Sequence, residues 1–172
     1  MIDLLISHKA NTKLKDEEGK TAFDFAVAGR FANLMFKFGG EKPNLEAKDA
    51  VSFLNIAISN QDMELVKKFM KLVKDINAKG DGDETPLGMA VETKNFALCE
   101  LILKAGANIE VLSGPNDHSP LLYAVIGGDV EMVKYLLSKG ADPNAMNGDI
   151  IESAKYHKQT EILKLLEKAK KK

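Results

Sequence analysis

The clearest pattern of apolar and polar positions runs from Ser119 to Asn144, SPLLYAVIGGDVEMVKYLLSKGADPN. Ser119-Pro120 is a helix start, because a hydroxyl can cap the first free N–H groups and proline fits the first turn without losing a hydrogen bond. A short helix through Ala124 and Ile126 follows, and Gly127-Gly128 ends it. Asp129 is a second cap, after which Val130, Met132, Val133, Leu136 and Leu137 recur at helical spacing. Gly140 stops that helix. Ala141-Asp142-Pro143-Asn144 leaves extended, since a residue before proline disfavours the helical region. Two helices this short share too little surface to be stable alone. The pattern therefore predicts neighbours of the same kind on either side.

The neighbours are visible as weaker copies. Thr85-Pro86-Leu87-Gly88-Met89-Ala90 matches Ser119-Pro120-Leu121-Leu122-Tyr123-Ala124, and Thr21 to Ala26 and Ser52 to Ala57 follow the same plan. The alanine that ends each hexapeptide marks the register at Ala26, Ala57, Ala90, Ala124 and Ala154, offsets of 31, 33, 34 and 30 residues. Gly106-Ala107-Asn108 repeats the exit Gly140-Ala141-Asp142.

A period near 33 residues with a T-P-L-H-x-A-like hexapeptide resembles the ankyrin-repeat family. The resemblance covers nearly the whole chain and implies an all-α solenoid of stacked antiparallel helix pairs with finger loops. It departs at the histidine of the signature, where Asp24, Asn55, Gly88, Leu122 and Glu152 stand; a weaker hydrogen-bond network at the helix starts is expected. The period divides a single domain, 1–172, into a partial repeat at 1–15 and repeats at 16–43, 44–76, 77–109, 110–143 and 144–172, the last a cap. Within these, the fingers are expected at Asn44–Val51, at an acidic, glycine-rich Asn77–Glu84 and at Ile109–His118, with a finger shortened by three residues after Asn144. The Leu5 to Asn11 stretch sits over Leu136 to Asp142, a second helix without its first, so a half-repeat cap and a piece of a longer protein are both open.

Composition adjusts the picture little. No tryptophan and 13 glycines suit small repeated units better than one large core. A net charge of −1 gives no general pull toward nucleic acid or an anionic membrane, and no apolar run approaches a membrane span. A single cysteine allows no internal disulfide, which fits a reducing, intracellular compartment; secretion as an effector stays open. The lysine-rich end at 168–170 and Lys171-Lys172 reads as a solvated helix terminus.

Chemistry is sparse. Asp117-His118-Ser119 contains triad residue types, but neighbours in sequence do not align as nucleophile, base and orienter. Asp75 to Gly80 begins like a calcium loop, yet Lys79 stands at a ligand position and Pro86 where a bidentate glutamate is required. Cys99 falls where Val66 and Val133 fall in their repeats and reads as a small core residue. No catalytic, metal or cofactor residues are expected, and no enzyme.

What remains is surface. The resemblance implies that finger tips and the exposed side of each first helix bind other proteins. The finger candidates are Glu17, Glu18 and Lys20; Lys48, Asp49 and Val51; Asp81, Asp83 and Glu84; and Asn116, Asp117 and His118. On the first helices they are joined by Asp24, Asn55, Glu92, Leu122 and Ile126. The fingers lean acidic and the second helices basic, so an acidic edge that recruits a basic segment of a protein partner is one reading; ordinary solvated surface is the other. The reading is a monomeric, non-catalytic interaction module, alone or as the repeat part of a larger enzyme or effector.

Overall fold

A computed structural model describes residues 2–40, 43–145 and 149–170, apart from the side chains of Ile2 and Leu5. A lone helix α1 (Ile2–Ser7) precedes five helix pairs. These are α2 (Ala22–Ala28) with α3 (Ala32–Gly39), α4 (Ala47–Ser59) with α5 (Met63–Met70), and α6 (Pro86–Glu92) with α7 (Phe96–Lys104). α8 (Pro120–Ile126) with α9 (Val130–Ser138) and α10 (Asp149–Tyr156) with α11 (Thr160–Ala169) complete the series. The described residues hold no strand, only two isolated bridges, Lys15 with Thr21 and Ser113 with His118, each closing a finger loop.

The starts follow local chemistry. Thr21, Thr85 and Ser119 accept a backbone N–H three residues on, and Pro86 and Pro120 occupy the first turn. Asp62 and Asp129 cap α5 and α9 in the same way, and Asn95 caps α7. The turn inside each pair is set by the marker alanine. Its side chain is buried in all five pairs, at 0–3% exposure. In four of them its carbonyl accepts the N–H of the residue five positions on: Phe31, Asp62, Asp129 and Gln159. That closure needs a left-handed residue four after the alanine, and Arg30, Gln61, Lys94, Gly128 and Lys158 all have φ between 54° and 63°. Only one of the five is glycine.

The first helices α4, α6, α8 and α10 pack in sequence, and α9 packs on α11. Leu54, Leu87 and Leu121 from first helices, and Phe69, Leu98 and Leu136 from second helices, are fully buried between neighbours. Each such side chain contributes about 1.5–3 kcal/mol. Phe69 is stacked on Phe53 with ring centroids 5.5 Å apart and touches Phe36 at 4.9 Å.

One element departs from the sequence reading. Residues 47–51 are the first turn and a half of a 13-residue helix, not a finger. This stretch, Ala47-Lys48-Asp49-Ala50-Val51, has neither glycine nor proline, and helix formation buries Ala50 and Val51 at 2% exposure each. Ser52 is then interior rather than a cap. Its Oγ donates to the Lys48 carbonyl at 2.9 Å and accepts the Asp81 N–H at 2.9 Å. Residues 41–42, the shortened finger at 146–148 and Lys171-Lys172 lie outside the described residues.

Candidate protein-binding groove

The face carrying the finger loops is most structured between α6 and α8. Gly88, at the histidine position of its hexapeptide, has no room for a side chain, because Ser113 of the next finger fills the space above it. Ser113 is fully buried; its Oγ accepts the Thr85 N–H at 2.8 Å and donates to Glu84 Oε2 at 2.7 Å. The Tyr123 hydroxyl donates to the Ser113 carbonyl at 3.1 Å and reaches Glu84 Oε1 at 3.4 Å. One repeat earlier, Asn55 Nδ2 donates to the Glu84 carbonyl at 2.7 Å. Glu84 therefore ties three consecutive repeats together, and the network weakened by the missing histidines is rebuilt from other polar groups.

Beside this network lies an open groove of about 550 Å³. Val91 and Glu92 of α6 form one wall, Tyr123, Ala124 and Ile126 of α8 the other, and Pro115, Asn116 and His118 of the finger close one end. Lys94 and Asp129 meet across the opposite end at 3.8 Å. Burial, and then the charge of Glu84, raises the Glu92 carboxyl above its ordinary value. Burial followed by the charges of Glu84 and Glu92 pushes the Tyr123 phenol up to about 12. Ile126 is 41% exposed on the rim.

Along the rest of this face several acids are engaged within the chain. The Arg30 guanidinium bridges Asp49 and Asp81, the latter at 2.8 Å, and lies 5.4 Å over the Phe53 ring. Lys79 pairs with Asp117, and Lys20 with Glu18 at 2.6 Å. Asp24 closes a capping box on Thr21, whose N–H and hydroxyl both donate to its carboxylate at 2.7 Å and hold it below the usual range. Among the described residues no group of three or more His, Cys, Asp and Glu is placed to hold a metal ion.

A family model described as ankyrin repeats, in three copies, matches residues 54–147. The chain belongs to the ankyrin-repeat family. A putative ankyrin repeat protein of Acanthamoeba polyphaga mimivirus is 27% identical over 84% of this chain, and the p105 subunit of nuclear factor NF-kappa-B from Gallus gallus is 31% identical over 67%. This chain spans only 20% and 12% of those two proteins. The ankyrin repeat domain of Bcl-3, described as a member of the IkappaB family, superposes with a TM-score of 0.68 at 19% identity, over 98% of this chain and 78% of that one. At that identity the likeness concerns the fold.

The ankyrin stack separates the expected surface residues into four sets. Glu92, Asn116, His118 and Ile126 line the groove, and Glu84 forms its floor. Glu17, Glu18, Lys20, Lys48, Asp83 and Asp117 are exposed elsewhere. Asp24, Asp49 and Asp81 are engaged as described. Val51, Asn55 and Leu122, at 2–5% exposure, are corrected from contact residues to core: Val51 because α4 begins early, Asn55 because it serves the Glu84 carbonyl, Leu122 because α8 packs that side on its neighbours. Of the acidic edge, Glu18 and Asp81 are paired within the chain, whereas Glu17, Asp83 and Glu84 make no ion pair among the described residues. The sequence reading passed over Tyr123, Val91, Pro115, Lys94, Asp129 and Arg30. Tyr123 carried a signal: a tyrosine at the hexapeptide position held by Phe25, Ile56 and Met89 has a polar tip that must find a partner.

Proposed function

We propose that this chain is a non-catalytic protein-binding module that holds its partner on the first-helix and finger side, centred on the α6–α8 groove. Ankyrin repeats are protein-interaction modules, and the observation that supports this placement is the groove itself. It is an open trough with an exposed apolar rim at Ile126 and accessible polar groups at Glu92 and Asn116, and at about 550 Å³ it is roomier than the trough of about 430 Å³ between Phe23 and Asp49. Nothing in its lining sets a nucleophile beside a base and an orienting group. No helix of the described residues is long and apolar enough to cross a membrane. The test is affinity capture from a lysate of the source with parent and Ile126→Asp chains. A partner retained by the parent and lost with the variant supports the groove; a partner retained equally by both excludes it.

A second reading is that these repeats form the interaction part of a larger protein. It is favoured by the small share of the mimivirus and p105 proteins that the chain spans. An antibody to the repeats that detects an endogenous species well above 18.8 kDa supports it, and a single species at that mass excludes it.

A further inference from the structure

The groove is built around carboxylates that its own chain does not match with cations. Glu84 is held by two hydroxyls, those of Ser113 and Tyr123, so it is fixed in place without being neutralised. Glu92 makes neither an ion pair nor a hydrogen bond among the described residues, and it stands close enough to feel the Glu84 charge. Its lining holds three carboxylates, Glu84, Glu92 and Asp129, and one ammonium, Lys94; Lys79, outside the lining, is paired with Asp117 and acts on Glu84 only through its charge at a distance. Lys94 is already engaged with Asp129 at the far end. The Arg30 and Lys79 pairs show that this chain supplies internal cations on the same face, yet none reaches Glu92. Next to the carboxylates lies an apolar strip of Val91, Ala124 and the exposed Ile126.

Resting on the protein-binding reading above, we infer that the α6–α8 groove takes an arginine or lysine side chain of the partner between Glu84 and Glu92, with an adjacent apolar residue of the partner laid on Ile126. Charge-assisted hydrogen bonds to a pre-fixed carboxylate are stronger than neutral ones, and the site is partly withdrawn from water. An incoming cation also relieves the repulsion between the two glutamates.

The probe is acetyl-Arg-Leu-amide, titrated into the isotope-labelled full chain and followed by backbone amide shifts. Acetyl-Gln-Leu-amide is the neutral probe and Glu92→Gln the variant. The expected result is saturable shifts at Glu92, Asn116 and Ile126 with the arginine probe. Affinity should be lower by about fivefold or more for the neutral probe and for the variant. Shifts that are absent, spread over the surface, or equal for the two probes overturn the inference. So does equal binding of the arginine probe to parent and variant. Partner capture lost with Ile126→Asp but intact with Glu92→Gln overturns the cation subsite and leaves protein binding standing. Capture intact with both overturns the binding surface and the subsite together.

Discussion

Gly88 tests whether the repeat network is built as described. A methyl added there would overlap the Ser113 hydroxyl oxygen and lie 2.5 Å from Ser113 Cβ, with Thr85 Oγ1 at 3.3 Å. Ser113 is fully buried and cannot swing away without leaving the Thr85 N–H unpaired. Overpacking of this kind costs about 1–3 kcal/mol. An orphaned buried N–H adds about 1–3 kcal/mol. Helix propensity returns at most about 1 kcal/mol in favour of alanine. Gly88→Ala is therefore expected to destabilise by about 3 kcal/mol, which lowers Tm by about 6–12 °C in a chain of this size. Ser113→Gly alone also destabilises, by removing the bridge, but it vacates the space above residue 88. The double variant should then cost less than the sum of the singles by about 1–3 kcal/mol. Urea and thermal melts of the four proteins provide the cycle. A Gly88→Ala chain as stable as the parent, or additive singles, refutes the interlock.

Three other outcomes follow from particular contacts. Lys158 is left-handed with φ 55° and its side chain has no partner among the described residues, so Lys158→Gly should raise stability by up to about 1 kcal/mol, and Gly128→Ala at the equivalent turn should lower it by a similar amount. Equal melts for either pair would contradict the shared turn geometry. Glu100, one-third exposed, is held to about 2 by hydrogen bonds from Lys139 and Tyr135. Because its folded value lies below its unfolded one, its contribution is complete above the ordinary glutamate range near pH 4–5 and is lost as pH falls toward 2. Glu100→Gln should therefore lower Tm at pH 7 and converge with the parent near pH 2; a constant offset counts against the ion pair. Glu92 has the opposite sign. Its raised value means that ionisation opposes folding above the ordinary glutamate range, so Glu92→Gln should raise Tm at neutral pH and lose that gain near pH 3. A variant less stable than the parent at pH 7 would show that Glu92 serves the fold.

The fold was legible because its signals are local. Alanine markers, cap residues and stop glycines act within a few positions, and each reports one turn of the same hairpin. Residues 47–51 escaped because a finger and a helical turn of Ala-Lys-Asp-Ala-Val have similar composition, and the burial of Ala50 and Val51 that decides between them is tertiary. The candidate site was legible in part for a related reason. Register alone put Glu92, Asn116 and Ile126 on the finger side. Which acids stay uncompensated depends on reach across repeats, such as Arg30 to Asp49 and Asp81, 19 and 51 residues on by numbering. A lone arginine at a left-handed turn gave no hint of that clamp. The Ser113–Gly88 fit was equally hidden, since it couples a finger residue to an absent side chain.

The most direct measurement is amide hydrogen exchange on the chain with and without its captured partner, read over the 113–126 segment. Binding on the α6–α8 groove predicts that new protection concentrates between Ser113 and Ile126 and around Glu92, and leaves α7 and α9 unchanged. Protection confined to the second helices α5, α7 and α9, with the groove exchanging as in the free chain, would contradict the account.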